Sequence, residues 1–357
     1  MKKIILFCVT LLTLNFSSTF FSLNFVQAET EFYYTDKIEH IFTHCLIAYP
    51  EIAFKKGNTM SSSYNTDCIT PSEFKGILKQ LHKNGYALVD INKCFKIENG
   101  RAYKTKVKVP RGKKPLIFSF DDVNYDSKKM HKGMVDKLVL GKNGRVASLT
   151  KINGKEEIRY DNEFVPILES FIAENPDFSI GGAKGTINLT GYDGILGYRT
   201  QNGNNISRKE EIAKAKKVVN ALKKNGWNFA SHSYGHYHMK KISIAKFREE
   251  TKKWNDEVVP IVGKTEIYVY PYGEWELSAT DGSMSEKHKI LEEFGFKLFC
   301  GVGMQPFYSY LPYKSAEKTL FMDRRPIDGF TLKNRTADLR PLFDTSLVYD
   351  AVSRNLT

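Results

Sequence analysis

The chain has 357 residues, of which 41% are hydrophobic, and its 53 Lys and Arg against 40 Asp and Glu give a formal net charge of +13. This length allows one large domain or two ordinary ones. Because the basic residues are spread along the chain, with no basic helix and no aromatic-basic RNA motif, the composition argues against nucleic acid and favours attraction to an anionic cell envelope.

The first 28 residues have the pattern of a secretory signal peptide. Met1-Lys2-Lys3 precedes an apolar run over residues 4–25, and small residues lead to a predicted cleavage after Ala28. We therefore predict a secreted or cell-surface protein, with an uncleaved N-terminal anchor as the competing interpretation. Residues 29–38 would form an N-terminal extension, residues 39–334 a single domain, and residues 335–357 a tail packing on that domain.

Three segments repeat the order helix, glycine, apolar strand. In the first, Thr70 and Glu73 form a predicted capping box, and Gly85 separates an apolar helical stripe from a strand over residues 86–91. In the second, Ser207 and Glu210 form a capping box ahead of a strand over residues 227–231. The third predicts a helix over residues 287–294 and a strand over residues 296–300.

The remaining predicted elements complete an α/β pattern. Asn-Gly pairs between Val139 and Tyr160 predict a β-hairpin insertion. Helices alternating with apolar strands indicate a parallel sheet, either closed into a barrel or doubly wound. The further predicted strands are residues 41–47, 115–120, 180–187 and 267–270.

Four cysteines remain after the predicted signal peptide. They permit three complete pairings, and the sequence does not choose among them. They are Cys45, Cys68, Cys94 and Cys300.

Polar residues follow two of the predicted strands. Asp121-Asp122 ends the strand 116–120, and His232, with His236 four residues later, ends the strand 228–231. Functional residues of α/β barrels gather at such strand ends. One carboxylate and two imidazoles can hold a divalent metal with open positions, and the adjacent carboxylate can act as a base.

Three motifs resemble those of the NodB-type polysaccharide deacetylases (carbohydrate esterase family 4). Phe118-Ser119-Phe120-Asp121-Asp122 is similar to the first motif, and His232-Ser233-Tyr234-Gly235-His236 to the second. Tyr270-Pro271-Tyr272-Gly273 resembles part of the third. The resemblance implies a deformed (β/α)7-type barrel of parallel strands and metal-dependent removal of acetyl groups from a polysaccharide.

The resemblance also implies a role for each matching residue. Asp122, His232 and His236 would hold one metal ion, with Zn²⁺ expected and Co²⁺, Ni²⁺ or Mn²⁺ left open. Asp121 would take the proton of the attacking water. The metal and a backbone N–H near Tyr272 would stabilise the oxyanion.

Two departures from the family pattern stand out. Val269 occupies the position of an arginine that orients the catalytic aspartate, so we expect Arg324 or Arg325 to replace it. The family's late histidine, the general acid, is missing after Tyr272, and the only later one, His288, falls in a predicted surface helix.

One branch of the family, which resembles the poly-N-acetylglucosamine deacetylases, is circularly permuted and carries this acid on an N-terminal strand. His44 lies at the matching position and is the predicted general acid; the alternative is a histidine buried in an edge strand. His40 is predicted to be an ordinary surface residue.

Other residues near the motifs receive lesser roles. Tyr272 and Trp275 are predicted to line the substrate groove. His238 is predicted to be a loop residue without special duty, with a supporting or substrate-facing role as the alternative.

The function predicted from these features is an exported, metal-dependent polysaccharide deacetylase acting on N-acetylated hexosamine glycan, either of the cell wall or of an extracellular polysaccharide. The alternatives are a non-catalytic glycan-binding protein that kept the groove, and an O-acetyl esterase. The expected partners are the acetylated glycan and an anionic envelope, and the protein is expected to be a monomer.

Overall fold

A computed structural model describes residues 31–203, 207–276, 285–303, 311–312 and 318–354. The predicted signal peptide lies outside this range and stays a prediction, as does the division into extension, domain and tail. From Phe32 onward the chain forms one compact unit. Among the described helices, none has the length and apolar character needed to cross a bilayer.

The described residues form sixteen strands and eleven helices. The strands are β1 (Phe32–Thr35), β2 (Glu39–His44), β3 (Tyr86–Leu88), β4 (Phe95–Glu98), β5 (Arg101–Lys104), β6 (Val107–Pro110), β7 (Lys114–Asp121), β8 (Lys137–Leu140), β9 (Val146–Ile152), β10 (Lys155–Arg159), β11 (Thr186–Leu189), β12 (Asn228–Ser231), β13 (Ile267–Val269), β14 (Leu298–Val302), β15 (Leu311–Pro312) and β16 (Leu320–Pro326). The helices are α1 (Pro50–Ala53), α2 (Ser61–Asp67), α3 (Pro71–Lys83), α4 (Phe164–Glu174), α5 (Arg208–Lys224), α6 (Ile244–Glu257), α7 (Val259–Val262), α8 (Glu286–Glu293), α9 (Gly329–Asn334), α10 (Thr336–Leu339) and α11 (Ala351–Arg354).

Seven parallel strands close into a barrel in the order β11, β12, β13, β14, β16, β2 and β7, and β7 pairs back to β11. The N-terminal strand β2 therefore lies between β16, the last strand of the barrel in chain order, and β7. Strand β3 extends β7 outside the ring. The predicted (β/α)7 barrel is confirmed.

Alternate residues along each barrel strand face two different cores, as the two-residue period of a strand requires. On β7, Ile117 belongs to the core inside the barrel, whereas Phe118 and Phe120 pack in the larger core under the helices. The same alternation separates Val269 from Tyr268 on β13. Polar residues with interior parity at the carboxyl ends of the strands are therefore brought to one opening of the barrel.

The first predicted helix forms as its sequence signals require. In α3 the Thr70 hydroxyl accepts from Glu73 N–H, and the Glu73 carboxylate accepts from Thr70 N–H at 2.8 Å, which completes the capping box. Glu73 also pairs with Arg354, whose Nη2 lies 2.6 Å from Glu73 Oε2, and both side chains are buried. This ion pair fixes the C-terminal segment to the start of α3.

The predicted hairpin insertion is a three-stranded antiparallel sheet, β8-β9-β10. Its two turns carry the Asn-Gly pairs, and Asn143, Gly144, Asn153 and Gly154 all have positive φ angles. Such angles are those of the type I′ turn, which Asn-Gly favours. Two further antiparallel pairs, β1 with β6 and β4 with β5, were not predicted.

Several element predictions are wrong in detail. The strands predicted over residues 41–47 and 86–91 end at His44 and Leu88. Residues 180–182 form a 3-10 turn, and the strand begins only at Thr186, because Gly181 and Gly182 adopt positive φ angles that a strand does not use. The Ser207 side chain makes no capping hydrogen bond to α5. Glu211, rather than Glu210, is the buried acid of that first turn, and it accepts from Arg199 N–H.

Two histidines predicted to lie on the surface are fully buried. His40 faces the barrel interior, where its Nε2 lies 2.5 Å from Ser119 Oγ and its Nδ1 lies 3.3 Å from Met322 Sδ. His288 lies on the inner face of α8, with its ring centroid 4.5 Å from that of Phe299. A lone histidine in a short helix carries no sequence signal that separates the two faces.

The four cysteines of the described range are buried thiols, with no disulfide among them. Burial raises the pKa of the Cys68 and Cys300 thiols to about 12. The pairings that the sequence left open are therefore not used in this structure.

Candidate functional site

The barrel opening collects the predicted site residues from four different strands. Asp121 ends β7, His232 follows β12, and Arg324 lies near the end of β16. Each has the parity that points inside the barrel. Asn188 of β11 joins them from the same layer.

Asp122, His232 and His236 form a group whose ligand atoms all lie within 4.8 Å of one another. The Nε2 atoms of His232 and His236 lie 4.0 and 3.7 Å from Asp122 Oδ1. That oxygen is buried and receives no hydrogen bond from the described residues. An orphaned carboxylate oxygen facing two imidazole nitrogens fits a divalent metal, for which N and O ligands at about 2.0–2.2 Å are usual.

His232 is held in the tautomer that a metal requires. Its Nδ1 lies 3.0 Å from the carbonyl oxygen of Val269, which can only accept, so Nδ1 carries the proton. The lone pair of Nε2 is thereby directed at the carboxylates. A backbone partner on the second ring nitrogen is the usual way in which proteins orient a metal-binding histidine.

The backbone around the other two members of the group is unusual. Asp122, Ser233 and His236 have φ angles of +57°, +60° and +54°, a region that residues other than glycine seldom occupy. Such conformations cluster at functional sites, where the surrounding structure enforces them. Here they turn Asp122 and His236 toward each other in the segments that follow their strands.

Electrostatics keep Asp122 and His236 in the states that bind metal. Burial lowers the pKa of His236 to about 4, with the neighbouring His232 and His44 acting in the same direction. Burial would raise the pKa of Asp122, but His236, Lys129 and His232 outweigh it and hold that pKa at about 2. An ionised carboxylate and a neutral imidazole are the forms of these side chains that bind a divalent metal.

Asp121 is fixed by three hydrogen bonds. Arg324 Nη1 and Nη2 donate to its Oδ1 and Oδ2 at 2.8 and 2.9 Å, and Asn188 Nδ2 donates to Oδ1 at 2.6 Å. Burial would raise the pKa of Asp121, but Arg324 and His232 outweigh it and lower that pKa below its usual range. Its Oδ2 lies 3.8 Å from His232 Nε2, beside the position that fits a metal.

The two arginines proposed to replace the missing one are not equivalent. Arg324 is fully buried, and its guanidinium lies 4.1 Å from the ring centroid of Phe42, which places it across β2 and against Asp121. Arg325 has the opposite parity and pairs instead with Glu39, whose Oε1 lies 2.9 Å from its Nε. Only Arg324 occupies the place beside Asp121.

His44 lies beside Asp121 in the parallel register of β2 and β7. Its Nδ1 donates to the carbonyl oxygen of Asp67 at 2.8 Å, which leaves Nε2 available. His44 lines a cavity of about 390 Å³ together with the three residues of the metal group and with Asp121. Asp67 and Asp328 line the same cavity. The predicted acid and base thus share one cavity, whereas the permutation itself stays a prediction.

The two aromatic residues predicted to line the groove are placed differently. Tyr272 lines the cavity, is 56% exposed and has its ring centroid 4.6 Å from that of His236. Trp275 is 41% exposed, does not line that cavity, and packs on Phe321 with ring centroids 5.0 Å apart. Tyr272 is thus the aromatic residue at the cavity mouth.

His238, predicted to have no special duty, contacts this tyrosine. Its ring is parallel to that of Tyr272, with centroids 4.1 Å apart, and its Nδ1 lies 2.9 Å from Glu274 Oε1. This contact could not be predicted from the residues around His238, because it joins two loops whose relative position depends on the barrel.

Further residues at the cavity were missed by sequence reasoning. Asn188 could have been found by placing β11 correctly, since it is the polar residue with interior parity nearest the carboxyl end of Thr186–Leu189. Asp67 and Asp328 come from segments with no recognisable motif. Burial raises the pKa of both carboxyl groups, and Asp328 also caps α9.

The part of the chain around His232 and His236 matches a known protein family. The family model described as polysaccharide deacetylase matches residues 200–291. Over that part of its length the chain is similar to the polysaccharide deacetylases. The matched span includes His232, His236 and Tyr272, so the resemblance in the motifs is confirmed, although Asp121 and Asp122 lie outside it. A comparison with curated proteins found no match.

Several solved structures of deacetylases resemble this chain weakly. A Streptococcus pyogenes deacetylase, PplD, in complex with acetate is 16% identical at a TM-score of 0.45, covering 82% of this chain and 93% of its own. The putative polysaccharide deacetylase BA0330 from Bacillus anthracis is 15% identical at a TM-score of 0.44, covering 82% of this chain and 65% of its own. The polysaccharide deacetylase BC0361 from Bacillus cereus is 13% identical at a TM-score of 0.44, with the same coverage.

Proposed function

We propose that this protein is an exported, metal-dependent polysaccharide deacetylase that hydrolyses N-acetyl groups of hexosamine glycan to free amine and acetate. The observation that carries the proposal is the convergence of Asp121, Asp122, His232 and His236 with His44 in one cavity. Amide hydrolysis needs an activated water, a polarised carbonyl and a proton for the departing amine. The cavity offers a group for each requirement.

Asp122, His232 and His236 would hold the metal. When bound, a divalent ion acts as a Lewis acid on the acetyl carbonyl and makes water a better nucleophile at neutral pH. Zn²⁺ is the expected ion, because two imidazoles and one carboxylate with open positions suit it, and Co²⁺, Ni²⁺ and Mn²⁺ are the alternatives.

Asp121 is the general base in this proposal. Its carboxylate is held by Arg324 and Asn188 in one orientation, so no rotation is needed when it accepts the proton of the attacking water. The bidentate Arg324 contact also keeps Asp121 ionised. Lowered basicity of the Asp121 carboxylate is the cost of this arrangement.

His44 is the general acid in this proposal. Its Nδ1–H bond to the Asp67 carbonyl fixes the ring, and protonated Nε2 is the atom that would deliver a proton to the leaving nitrogen. His44 and Asp121 are neighbours in register, so they approach the reacting group from adjacent strands. A backbone N–H near Tyr272 would contribute to the oxyanion site.

A polysaccharide substrate outside the cytoplasm fits the chain as a whole. The N-terminal signal pattern supports export, and the net charge of +13 supports attraction to an anionic envelope. A cavity of about 390 Å³ is within the usual range of roughly 300–1,000 Å³ for small-ligand sites, so it suits one acetylated sugar of a longer chain.

The decisive experiment is acetate release from N-acetylated chitooligosaccharides and from peptidoglycan, with and without a chelator. We expect release by the metal-loaded protein, its loss with chelator, and a fall of about 100-fold or more in Asp121→Asn, the range that general bases contribute. Metal binding without acetate from any acetylated glycan would favour the non-catalytic glycan-binding alternative. Release only from O-acetylated glycan would favour the esterase.

A further inference from the structure

Tyr272, His238 and Glu274 form a linked set at the cavity mouth, on the side of His236. The rings of His238 and Tyr272 are stacked with an interplanar angle of 9° and centroids 4.1 Å apart. His238 is in turn bound to Glu274, whose Oε1 lies 2.9 Å from Nδ1. Glu274 follows Tyr272 by two residues in the same loop.

The backbone of this loop is fixed without help from His238. Gly273 N–H donates to the Tyr270 carbonyl at 3.1 Å, and Glu274 N–H donates to the Pro271 carbonyl at 3.1 Å. Gly273 has a φ of +65°, and a Cβ added to it would lie 2.6 Å from Val302 Cβ. The main chain at Tyr272 is therefore locked by its own turn and by close packing.

The ring of Tyr272 has much weaker support. Tyr272 is 56% exposed, and its ring contacts the rings of His236, a member of the metal group, and of His238. His236 meets it edge-on, at an interplanar angle of 62°. The parallel face of His238 is thus the surface that holds the tyrosine ring against the cavity.

From this geometry we infer that His238, held by Glu274, is a positioning residue that fixes the Tyr272 ring as the sugar-stacking wall of the substrate cavity. The inference rests on the proposed function, because it takes an N-acetylated hexose as the ligand. Sugars present apolar C–H faces that pack on aromatic rings, and a ring fixed in advance loses less entropy on binding.

The loop backbone and the Tyr272 ring are held by different contacts, so removal of His238 should affect the ring alone. Removing His238 frees the ring but leaves the backbone turn, the metal group and the Asp121 contacts in place. The loss should therefore fall on glycan affinity and KM, with kcat within about twofold. The stacking of two aromatic rings contributes enough free energy to change an affinity by about 3- to 10-fold, so His238→Ala should weaken glycan affinity by that factor.

The test measures binding of a chitooligosaccharide by calorimetry in an Asp121→Asn background, and kcat and KM for acetate release in the active protein. His238→Phe keeps a stacking ring and should restore affinity to within about threefold of the parent. Glu274→Ala, which removes only the tether, should fall between them. Lys241→Ala, an exposed neighbour in the same loop, is the matched control and should have no effect.

A double-mutant cycle separates positioning from general loop stability. If His238 acts through the tyrosine ring, His238→Ala adds little to Tyr272→Ala, because the ring to be positioned is already gone. Additive losses, or unchanged affinity and KM in His238→Ala, overturn the inference. So does a failure of the parent to bind the oligosaccharide.

The same measurements keep the two proposals distinct. One outcome is that oligosaccharide binding depends on His238 but the protein with Asp121 intact releases no acetate. This outcome refutes the deacetylase function and leaves the positioning role standing. Acetate release with unchanged KM in His238→Ala does the reverse.

Discussion

Arg324 and Asp121 meet in a buried bidentate pair, with both guanidinium nitrogens within 2.9 Å of the carboxylate oxygens. Arg324 comes from β16, whereas the resemblance in the motifs places an arginine at the position of Val269 on β13. The arginine that contacts Asp121 is thus supplied by another strand that ends at the same opening.

Arg324→Lys should lower kcat/KM for acetate release by about 10- to 100-fold, because an ammonium cannot form the planar two-point contact that orients Asp121. The matched control is Arg325→Lys, which alters the pair with Glu39 outside the cavity. It should leave activity per folded molecule unchanged. Equal losses in both variants would show that stability, rather than orientation, explains the effect.

His236→Ala should abolish stoichiometric metal binding, since it removes one of the three ligands that the cavity offers. Metal content after gel filtration, measured by atomic emission, gives the result directly. His131→Ala, a change at an exposed histidine outside the cavity, should retain the metal. Retention of metal by His236→Ala would mean that the ion is bound elsewhere.

His44→Ala should retain metal and fold but lose about 100- to 10,000-fold in turnover, the usual contribution of general acid catalysis. His40→Gln tests the other histidine of β2. It disturbs the buried contacts with Ser119 and Met322 and should lower the midpoint of thermal unfolding, with activity per folded molecule retained. Full turnover by His44→Ala would remove it from the mechanism.

Glu163 should make the free energy of unfolding depend on pH. Burial raises its pKa to about 8, well above the value of an unfolded glutamate. The folded protein is therefore favoured while the Glu163 carboxyl group is protonated. The contribution of Glu163 to the free energy of unfolding is complete below about pH 4.5 and is lost as the pH rises to about 8.

The measurement compares urea unfolding of metal-free wild type and Glu163→Gln at pH 5 and pH 9. Glutamine can still accept from Leu46 and Phe164 N–H, so the two proteins should be similar at pH 5. At pH 9 the variant should be more stable than the wild type. The difference in free energy of unfolding should be about 1.4 kcal/mol for each unit by which folding raises the pKa of Glu163. A constant difference across this range would contradict the raised pKa.

Arg354→Met should lower the free energy of unfolding by about 3–5 kcal/mol, because it leaves Glu73 charged and buried without its partner. Denaturant titration measures this loss. Adding Glu73→Gln should recover part of it, since the uncompensated charge is then gone. If the double variant is no more stable than Arg354→Met, the cost lies in packing of the C-terminal helix rather than in charge.

The alternation of helices and strands could be predicted because strand ends, helix caps and Asn-Gly turns depend on neighbouring residues. The same local signals pointed to Asp121, Asp122, His232 and His236. The barrel was expected from the family resemblance, because the elements alone left a doubly wound sheet open. Contacts between distant segments were harder. Neither the choice of Arg324 over Arg325 nor the burial of His40 follows from one segment alone, because strand parity and barrel register decide both.

The position of β2 between β16 and β7 has a consequence for how the protein matures. The ring of strands cannot close until residue 326 has been made and has returned to meet β2. His44 is made early in synthesis and Arg324 late, so a chain that ends before β16 has neither the closed ring nor the arginine that contacts Asp121. The cavity therefore takes its described form only after residues 320–326 have joined the barrel.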